Sequence, residues 1–264
     1  MNILDKIILN KEKEVAERKK LYAVGLIEQS PLFNRQTISF KKELLREDRI
    51  GVIAEFKRKS PSKGIINDIV SVEETTSAYI QAGASALSIL TDTEYFGGNN
   101  QDIIAARKLN ACPILRKDFI IDEYQIIEAK SIGADVILLL ANVLSPKQIS
   151  QFARFAKTLG LECLLEIRDK DELKAINEFV DAVGVNNRDL KDFKVNLSQS
   201  FDLVNLIPKE FVKISESGIG DAKTIHELKA VGFKGFLMGE TFMKQADPGK
   251  ACADFIKEVN EYKF

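Results

Sequence analysis

Lysine and glutamate residues stand at the ends of several short apolar runs in this sequence. Glu55 and Lys57 end the first run, and Lys117 follows the third. Glu166 and Glu216 end two later runs. Opposite charges within about 4 to 6 Å keep each other ionised, which suits general acid and base work. If the chain brings these runs together, their charged ends form a site for proton transfer.

The apolar runs alternate with amphipathic stretches of helical period, such as residues 122–132 and 145–159. This alternation is typical of βαβ units on a parallel sheet, and eight units favour a closed barrel over an open sheet. We therefore predict an α/β fold, a (β/α)8 TIM barrel. Its strands are expected at residues 51–56, 84–90, 113–116, 135–140, 162–166, 182–186, 211–216 and 235–238.

In such a barrel the carboxyl ends of all strands meet at one face, where active sites form. The strand period of two places Glu55 and Lys57 on the same side of the first strand. For any single residue, entry into a solvated loop is an equally simple explanation. Recurrence at the same end of five strands favours a common site instead. The residues expected to converge are Glu55, Lys57, Lys117, Glu166, Asn186 and Glu216.

Two glycine-containing loops have the composition of a phosphate site. Ser217 and Gly218 follow the seventh strand, and Gly239 and Glu240 follow the eighth. Glycine lets the backbone approach an anion, and barrels often bind phosphate with N–H groups after these two strands. Ser60, in a cationic loop after the first strand, lies near the same face. The sequence therefore predicts a phosphorylated small-molecule substrate, although the glycines could instead only form tight loops.

The composition argues against several other functional classes. The chain has 38 Lys plus Arg against 39 Asp plus Glu, so it lacks the basic excess of nucleic-acid and membrane-surface proteins. The apolar runs fall short of the ~20 residues that span a membrane. Cys112, Cys163 and Cys252 form no disulfide or metal pattern, and His226 is the only histidine. We expect a cytoplasmic protein without a metal site.

The first fifty residues do not follow the repeat. Residues 1–23 have the pattern of a charged amphipathic helix, and residues 33–45 form a second helical or irregular segment. An apolar stripe of Ile3, Leu4, Ile7 and Ile8 favours packing on the barrel over a disordered arm. We expect one domain over residues 1–264, with residues 1–50 as an N-terminal helical extension. The chain is expected to be a monofunctional monomer.

Several long motifs resemble the indole-3-glycerol phosphate synthase family in order and spacing. They are the segment 53–64, the residues 90–92 with 96–98, the segment 115–119, the segment 185–190 and the segment 215–219. The resemblance spans essentially the whole chain. It implies conversion of 1-(2-carboxyphenylamino)-1-deoxyribulose 5-phosphate to indole-3-glycerol phosphate in tryptophan biosynthesis, with release of carbon dioxide and water and without a cofactor.

The same resemblance implies catalytic roles by position. Lys117 resembles the general acid that protonates the carbonyl oxygen during ring closure, and Glu166 the acid/base residue of later steps. Glu55 and Lys57 match a pair on the first strand, where Lys57 would meet the substrate carboxylate and would also be able to deliver a proton. Asn186 and Glu216 resemble polar residues around the ring and hydroxyls. How the two lysines share the protons stays open.

Binding residues are implied in the same way. Phe119 and Leu138 would form the apolar wall for the anthranilate ring, and Arg188 would support Asn186 and Glu216. The residues that line up with the family's phosphate site are Ser60, Ser217, Gly218, Gly239 and Glu240. Some relatives carry serine where this chain has Glu240, and a carboxylate repels phosphate. We expect the Glu240 N–H to serve and its side chain to turn away.

Two other functions fit parts of the pattern. A phosphoribosylanthranilate isomerase would need a Cys and Asp acid/base pair, whereas this chain has Glu55 and Lys57 on its first strand. An inactive barrel that serves as a binding scaffold would be expected to bind a phosphate ester without turnover. The retained charged residues argue against the scaffold.

Overall fold

Eight parallel strands close into a barrel in the computed structural model, which describes residues 2–189 and 194–262. Each strand pairs with the next along the chain, and the eighth pairs with the first. The predicted (β/α)8 barrel is confirmed, with every strand bound within two residues of the one expected. Leu190 of the sixth-strand motif lies outside the described residues. Strands β1 to β8 span Val52–Phe56, Ala86–Leu90, Ile114–Lys117, Val136–Leu140, Glu162–Ile167, Ala182–Asn186, Val212–Glu216 and Gly235–Met238.

Helices surround the barrel and close its ends. A small hairpin, Lys59–Ser60 with Gly64–Ile65, follows β1, and a 3-10 helix, Lys170–Ala175, follows β5. Capping side chains begin several helices: Ser145 accepts from the Gln148 N–H before Pro146. Helices α1 to α12 span Ile3–Leu21, Val24–Ile27, Phe40–Leu44, Val72–Gln81, Thr93–Phe96, Asn100–Leu109, Glu123–Ser131, Pro146–Thr158, Ser198–Leu203, Ala222–Ala230, Glu240–Met243 and Pro248–Glu261.

Alternation along each strand separates two apolar cores. Val52, Ala54 and Phe56 belong to the core between strands and helices, whereas Ile53 belongs to the core inside the barrel with Leu115. The next inward positions after Ile53 and Leu115 are Glu55 and Lys117, because the side-chain period of a strand is two. The barrel interior is therefore apolar at its centre and charged at its carboxyl end.

The N-terminal segment contacts both ends of the barrel. Phe40 of α3 is fully buried in the inner core, and the Ser39 hydroxyl and Lys41 N–H donate to Glu162 at the start of β5. At the other end, Ile7 of α1 is buried, with Ile3, Leu4 and Ile8 packed against the same core. The apolar stripe noted in the sequence thus finds its partner surface at the carboxyl end.

Candidate active site

Lys117 lies at the centre of a pocket at the carboxyl end of the barrel. Its Nζ donates to Glu166 Oε2 at 2.9 Å and to Glu216 Oε2 at 2.6 Å. The side chains come from β3, β5 and β7, because alternate strands contribute to one layer of a barrel interior. Burial alone would lower the pKa of Lys117, but the charges of Glu166, Glu216 and Glu55 outweigh it and raise the pKa. The ammonium form is therefore held in place.

Glu216 is almost wholly buried beside this ammonium. Burial, with repulsion from Glu166 and Glu55, raises the pKa of Glu216 to about 7 against the attraction of Lys117. Oε1 of Glu216 has no hydrogen-bond partner among the described residues. A β-carbon at position 184 on the neighbouring strand would collide with this oxygen, so Gly184 gives the carboxylate its room. The acid thus titrates near neutral pH within reach of Lys117.

A second ion pair on β1 lies in the same pocket. Lys57 Nζ is 2.7 Å from Glu55 Oε1, and the Ser88 hydroxyl of β2 donates to Glu55 Oε2 at 3.2 Å. Burial raises the pKa of Glu55, but Lys57 and Lys117 outweigh it and lower that pKa below its usual value. Glu55 is therefore a carboxylate at neutral pH. Ser88, a polar residue inside an apolar strand, was missed by the sequence analysis.

Asn186 connects the acid–base group to the loops after β6 and β7. Its Nδ2 donates to Glu166 Oε1 at 2.8 Å, and its Oδ1 accepts from the Arg188 N–H at 3.0 Å and the Ser217 hydroxyl at 2.9 Å. These bonds determine which amide atom faces Glu166. Glu166 is thereby held on one oxygen by Asn186 and on the other by Lys117.

Apolar side chains form one wall of the pocket. Phe119 and Leu138 both line it, as the resemblance implies. Phe96 stands 6.0 Å from Phe119 between ring centroids. The N-terminal helix adds further lining residues that the sequence analysis did not place here, namely Ile3, Leu4 and Ile7. The wall can hold a flat aromatic ring beside the charged group.

The loops after β7 and β8 meet at the opposite side. Ser217 and Gly218 have φ angles of 69° and 79°, a left-handed conformation that glycine tolerates best. The N–H groups of Gly218 and Glu240 donate to no other group in the described part of the chain. Ser60 and Gly239 also line the pocket, and a β-carbon on Gly239 would press on Glu55. All five predicted phosphate-binding residues thus line the same pocket.

The side chain of Glu240 does not turn away from this region, so the expectation from the sequence is wrong. Glu240 Oε2 lies 3.0 Å from Arg188 Nη2, and Oε1 lies 3.7 Å from Lys63 Nζ. All three residues line the pocket. Attraction to these two cations holds the Glu240 side chain at the pocket.

A buried network fastens α1 to the same face. Lys11 is 1% exposed, and its Nζ lies 2.9 Å from Asp118 Oδ1, 3.0 Å from Asp92 Oδ2 and 2.8 Å from Glu14 Oε2. Asp118 also accepts from the Phe119 N–H at 2.8 Å. Lys11 was not predicted from the sequence, although its spacing from Ile7 and Val15 places it on the apolar stripe.

The remaining candidates are packing residues. His226 lies in α10, with Nε2 2.9 Å from the Val259 carbonyl oxygen and its ring stacked on Tyr262. Cys112, Cys163 and Cys252 are buried and free. Within residues 2–189 and 194–262 no three His, Cys, Asp or Glu side chains are arranged to hold a metal ion. In the same ranges, no helix has both the length and the apolar character needed to cross a membrane.

The pocket as a whole has a volume of about 510 Å³. It combines a buried ammonium between two carboxylates, a second lysine–glutamate pair, an apolar wall and two loops with outward N–H groups. Such a group can donate a proton to a developing oxyanion and accept one from carbon, while the wall and loops hold the two ends of a substrate.

Comparison with known proteins gives consistent matches. The family model for indole-3-glycerol phosphate synthase matches residues 4–255. An indole-3-glycerol phosphate synthase of Bacteroides thetaiotaomicron is 45% identical over 258 residues, which cover 98% of this chain and 99% of that protein. The enzyme of the same name from Thermoanaerobacter pseudethanolicus is 40% identical over 259 residues, with 97% and 98% covered.

Solved structures of other proteins share the barrel. The 3-hexulose-6-phosphate synthase of Salmonella typhimurium has a TM-score of 0.59 at 13% identity, covering 81% of this chain and 100% of that one. A chain of the tryptophan synthase complex of Pyrococcus furiosus has a TM-score of 0.60 at 14% identity, covering 81% and 99%. At these identities the likeness shows the fold alone.

Proposed function

The chain belongs to the indole-3-glycerol phosphate synthase family, and from that premise we propose how its own side chains carry out the reaction. The enzyme converts 1-(2-carboxyphenylamino)-1-deoxyribulose 5-phosphate to indole-3-glycerol phosphate, a step of tryptophan biosynthesis. Carbon dioxide and water are released, so the enzyme is a carboxy-lyase. The proposal concerns which residue performs each proton transfer and where the substrate is held.

Lys117 is the general acid of ring closure. The ring carbon that bears the carboxylate attacks the substrate's carbonyl carbon, and the electrons of the carbonyl double bond move to oxygen. Lys117 protonates that oxygen, a favourable transfer because an alkoxide is more basic than an amine. The observation that carries this assignment is the Lys117 ammonium 2.9 Å from Glu166 and 2.6 Å from Glu216 at the base of the pocket. The two carboxylates keep the proton on the lysine until the oxyanion forms.

Glu166 and the β1 pair act after the ring has closed. Loss of carbon dioxide returns the bond electrons to the ring and restores its aromaticity. Dehydration then removes the new hydroxyl as water and a proton from the neighbouring carbon. Glu166, a carboxylate held by Lys117 and Asn186, accepts that proton. Lys57 meets the substrate carboxylate or supplies the proton to the leaving hydroxyl, and Glu55 fixes its position at 2.7 Å.

The substrate spans the pocket from the apolar wall to the glycine loops. Phe119 and Leu138 face the anthranilate ring, while Asn186 and Glu216 surround the reacting carbons and the hydroxyls. Arg188 lies beside them, between Asn186 and Glu240. The phosphate lies against the loops after β7 and β8. The left-handed backbone at Ser217 and Gly218 supports this placement, as do the N–H groups at Gly218 and Glu240. Ser60, from the β1 loop, and Gly239 complete the set.

The organisation of the chain is part of the proposal. Residues 1–264 form one domain in which residues 1–50 pack on the barrel, supported by the buried Lys11 and Ile7 of α1. We infer a monomer, because the apolar stripe of α1 packs on its own barrel. We infer a monofunctional enzyme, because relatives named indole-3-glycerol phosphate synthase are matched over 99% and 98% of their own length. Three buried thiols support action in the cytoplasm.

The test of the activity is direct. Purified protein mixed with 1-(2-carboxyphenylamino)-1-deoxyribulose 5-phosphate is expected to give indole fluorescence together with one carbon dioxide per indole formed. A folded protein that binds the substrate but gives neither signal would contradict the enzymatic activity and favour an inactive binding scaffold. Release of carbon dioxide without indole would mean that ring closure and decarboxylation occur but dehydration does not.

A further inference from the structure

Three charged side chains from three different loops meet at the mouth of the pocket. Lys63 lies in the hairpin after β1, Arg188 follows β6, and Glu240 follows β8. Glu240 contacts both cations, with one carboxylate oxygen 3.0 Å from Arg188 and the other 3.7 Å from Lys63. The ion pairs therefore connect three loops around the proposed phosphate site.

A carboxylate is an unexpected neighbour for a phosphate ester. Glu240 lines the same pocket as Gly218, and the proposed function places the substrate's phosphate at the N–H groups of these two residues. A phosphate with nearly two negative charges next to the Glu240 side chain would be repelled, whereas Arg188 and Lys63 would attract it. Arg188 and Lys63 can bind either the Glu240 carboxylate or the phosphate, but they cannot bind both at full strength.

We propose that the Glu240 side chain is an internal counter-ion that occupies Arg188 and Lys63 until a phosphate group displaces it. The inference rests on the proposed function for the position of the phosphate. Glu240 thereby sets how tightly this chain holds the phosphate end of its substrate and product. The carboxylate lowers that affinity, which keeps free phosphate out of the mouth and helps the product to leave.

The burial of the three side chains fits an exchange of partners. The Glu240 side chain is 37% exposed and that of Lys63 is 55% exposed. Ion pairs this open to solvent are weak, so little opposes their separation. Arg188 is the more buried cation. Its planar guanidinium can donate to a phosphate in the same geometry in which it donates to a carboxylate. Glu240 can swing into solvent once the phosphate has taken its place.

The experiment compares inorganic phosphate as an inhibitor of wild type and of Glu240→Gln, using indole fluorescence as the readout. Glutamine keeps the size and an acceptor oxygen for Arg188 but removes the charge. We expect phosphate to inhibit the variant roughly tenfold more tightly, with a parallel fall in KM. Glu94→Gln is the matched control, since Glu94 is an exposed glutamate on α5 after β2, and it should leave phosphate inhibition unchanged.

A second variant separates electrostatics from a change of shape. With Arg188→Met in place, Glu240→Gln should gain much less affinity for phosphate, because the cation that the carboxylate occupied is gone. Equal or weaker phosphate inhibition of Glu240→Gln than of wild type would overturn the inference and make Glu240 an organiser of the cations. Phosphate that fails to compete with substrate in wild type would overturn the phosphate placement itself, and the inference with it.

Discussion

Lys11 of the N-terminal helix lies 2.9 Å from Asp118, the residue that follows Lys117. Both side chains are almost wholly buried. Asp118 also accepts from Thr91 at 2.6 Å and from Arg116 at 3.2 Å, so the backbone beside Lys117 is fixed from several directions. A residue more than one hundred positions away in the sequence thus helps to hold the segment that carries Lys117.

Lys11→Met is expected to lower the free energy of unfolding by about 3 to 5 kcal/mol, because it leaves the buried Asp92 without its cation and the buried Asp118 with Arg116 alone. It should also raise KM, since Ile3, Leu4 and Ile7 on the same helix line the pocket. Urea unfolding and steady-state kinetics measure the two effects. Lys13→Met, at an exposed position of the same helix, is the control, and equal losses in both variants would contradict the account.

Glu216 should produce an ionisation near pH 7 in kcat. Its raised pKa of about 7 means that the carboxyl is protonated below that pH and loses its hold on the Lys117 ammonium. Wild-type kcat should therefore fall as the pH drops from about 8 to 6. Glu216→Gln should be slower and lack this step. If Glu216→Gln shows the same pH dependence of kcat as wild type, the ionisation belongs to another group.

Gly184→Ala should damage catalysis more than stability. The added methyl group would collide with Glu216 Oε1 and push the carboxylate from Lys117. A displacement of this size can reduce kcat roughly a hundredfold. Gly25→Ala, where the methyl group meets nothing within 4 Å, should leave kcat unchanged. If Gly184→Ala is folded by circular dichroism and has the same kcat as wild type, the prediction is contradicted.

Gly218→Ala is expected to raise KM roughly tenfold or more by moving an N–H from the phosphate. The control for backbone strain is Gly232→Ala, because both glycines have positive φ angles, 79° and 110°, but of the two only Gly218 lines the pocket. A β-carbon at position 218 would also press on Val195 of the same pocket, whereas one at 232 meets nothing within 4 Å. Both variants should lose some stability from backbone strain. Only the first should weaken competitive inhibition by inorganic phosphate, and equal effects on KM would contradict the phosphate assignment.

Much of this arrangement could be predicted from the sequence. The period of two along strands and the order of the eight runs indicated that Glu55, Lys117, Glu166 and Glu216 face one interior. The barrel geometry then required their convergence. Such reasoning works because both features are local and repeat along the chain.

The rest depended on contacts between distant segments. Lys11 stands among exposed lysines, and only its position on the apolar stripe distinguishes it from Lys13. The orientation of Glu240 follows from Arg188 and Lys63, which belong to other loops whose distances no sequence pattern fixes. Ion pairs between residues of different loops can be identified only in the folded structure.

The most direct test of the account is a single-turnover measurement with Lys117→Met, following carbon dioxide release and indole fluorescence together. If Lys117 is the acid of ring closure, both signals should fall by roughly 10² to 10⁴, while substrate still binds and the protein unfolds cooperatively. Carbon dioxide released at the wild-type rate would contradict the assignment, because decarboxylation follows ring closure and would then not need Lys117.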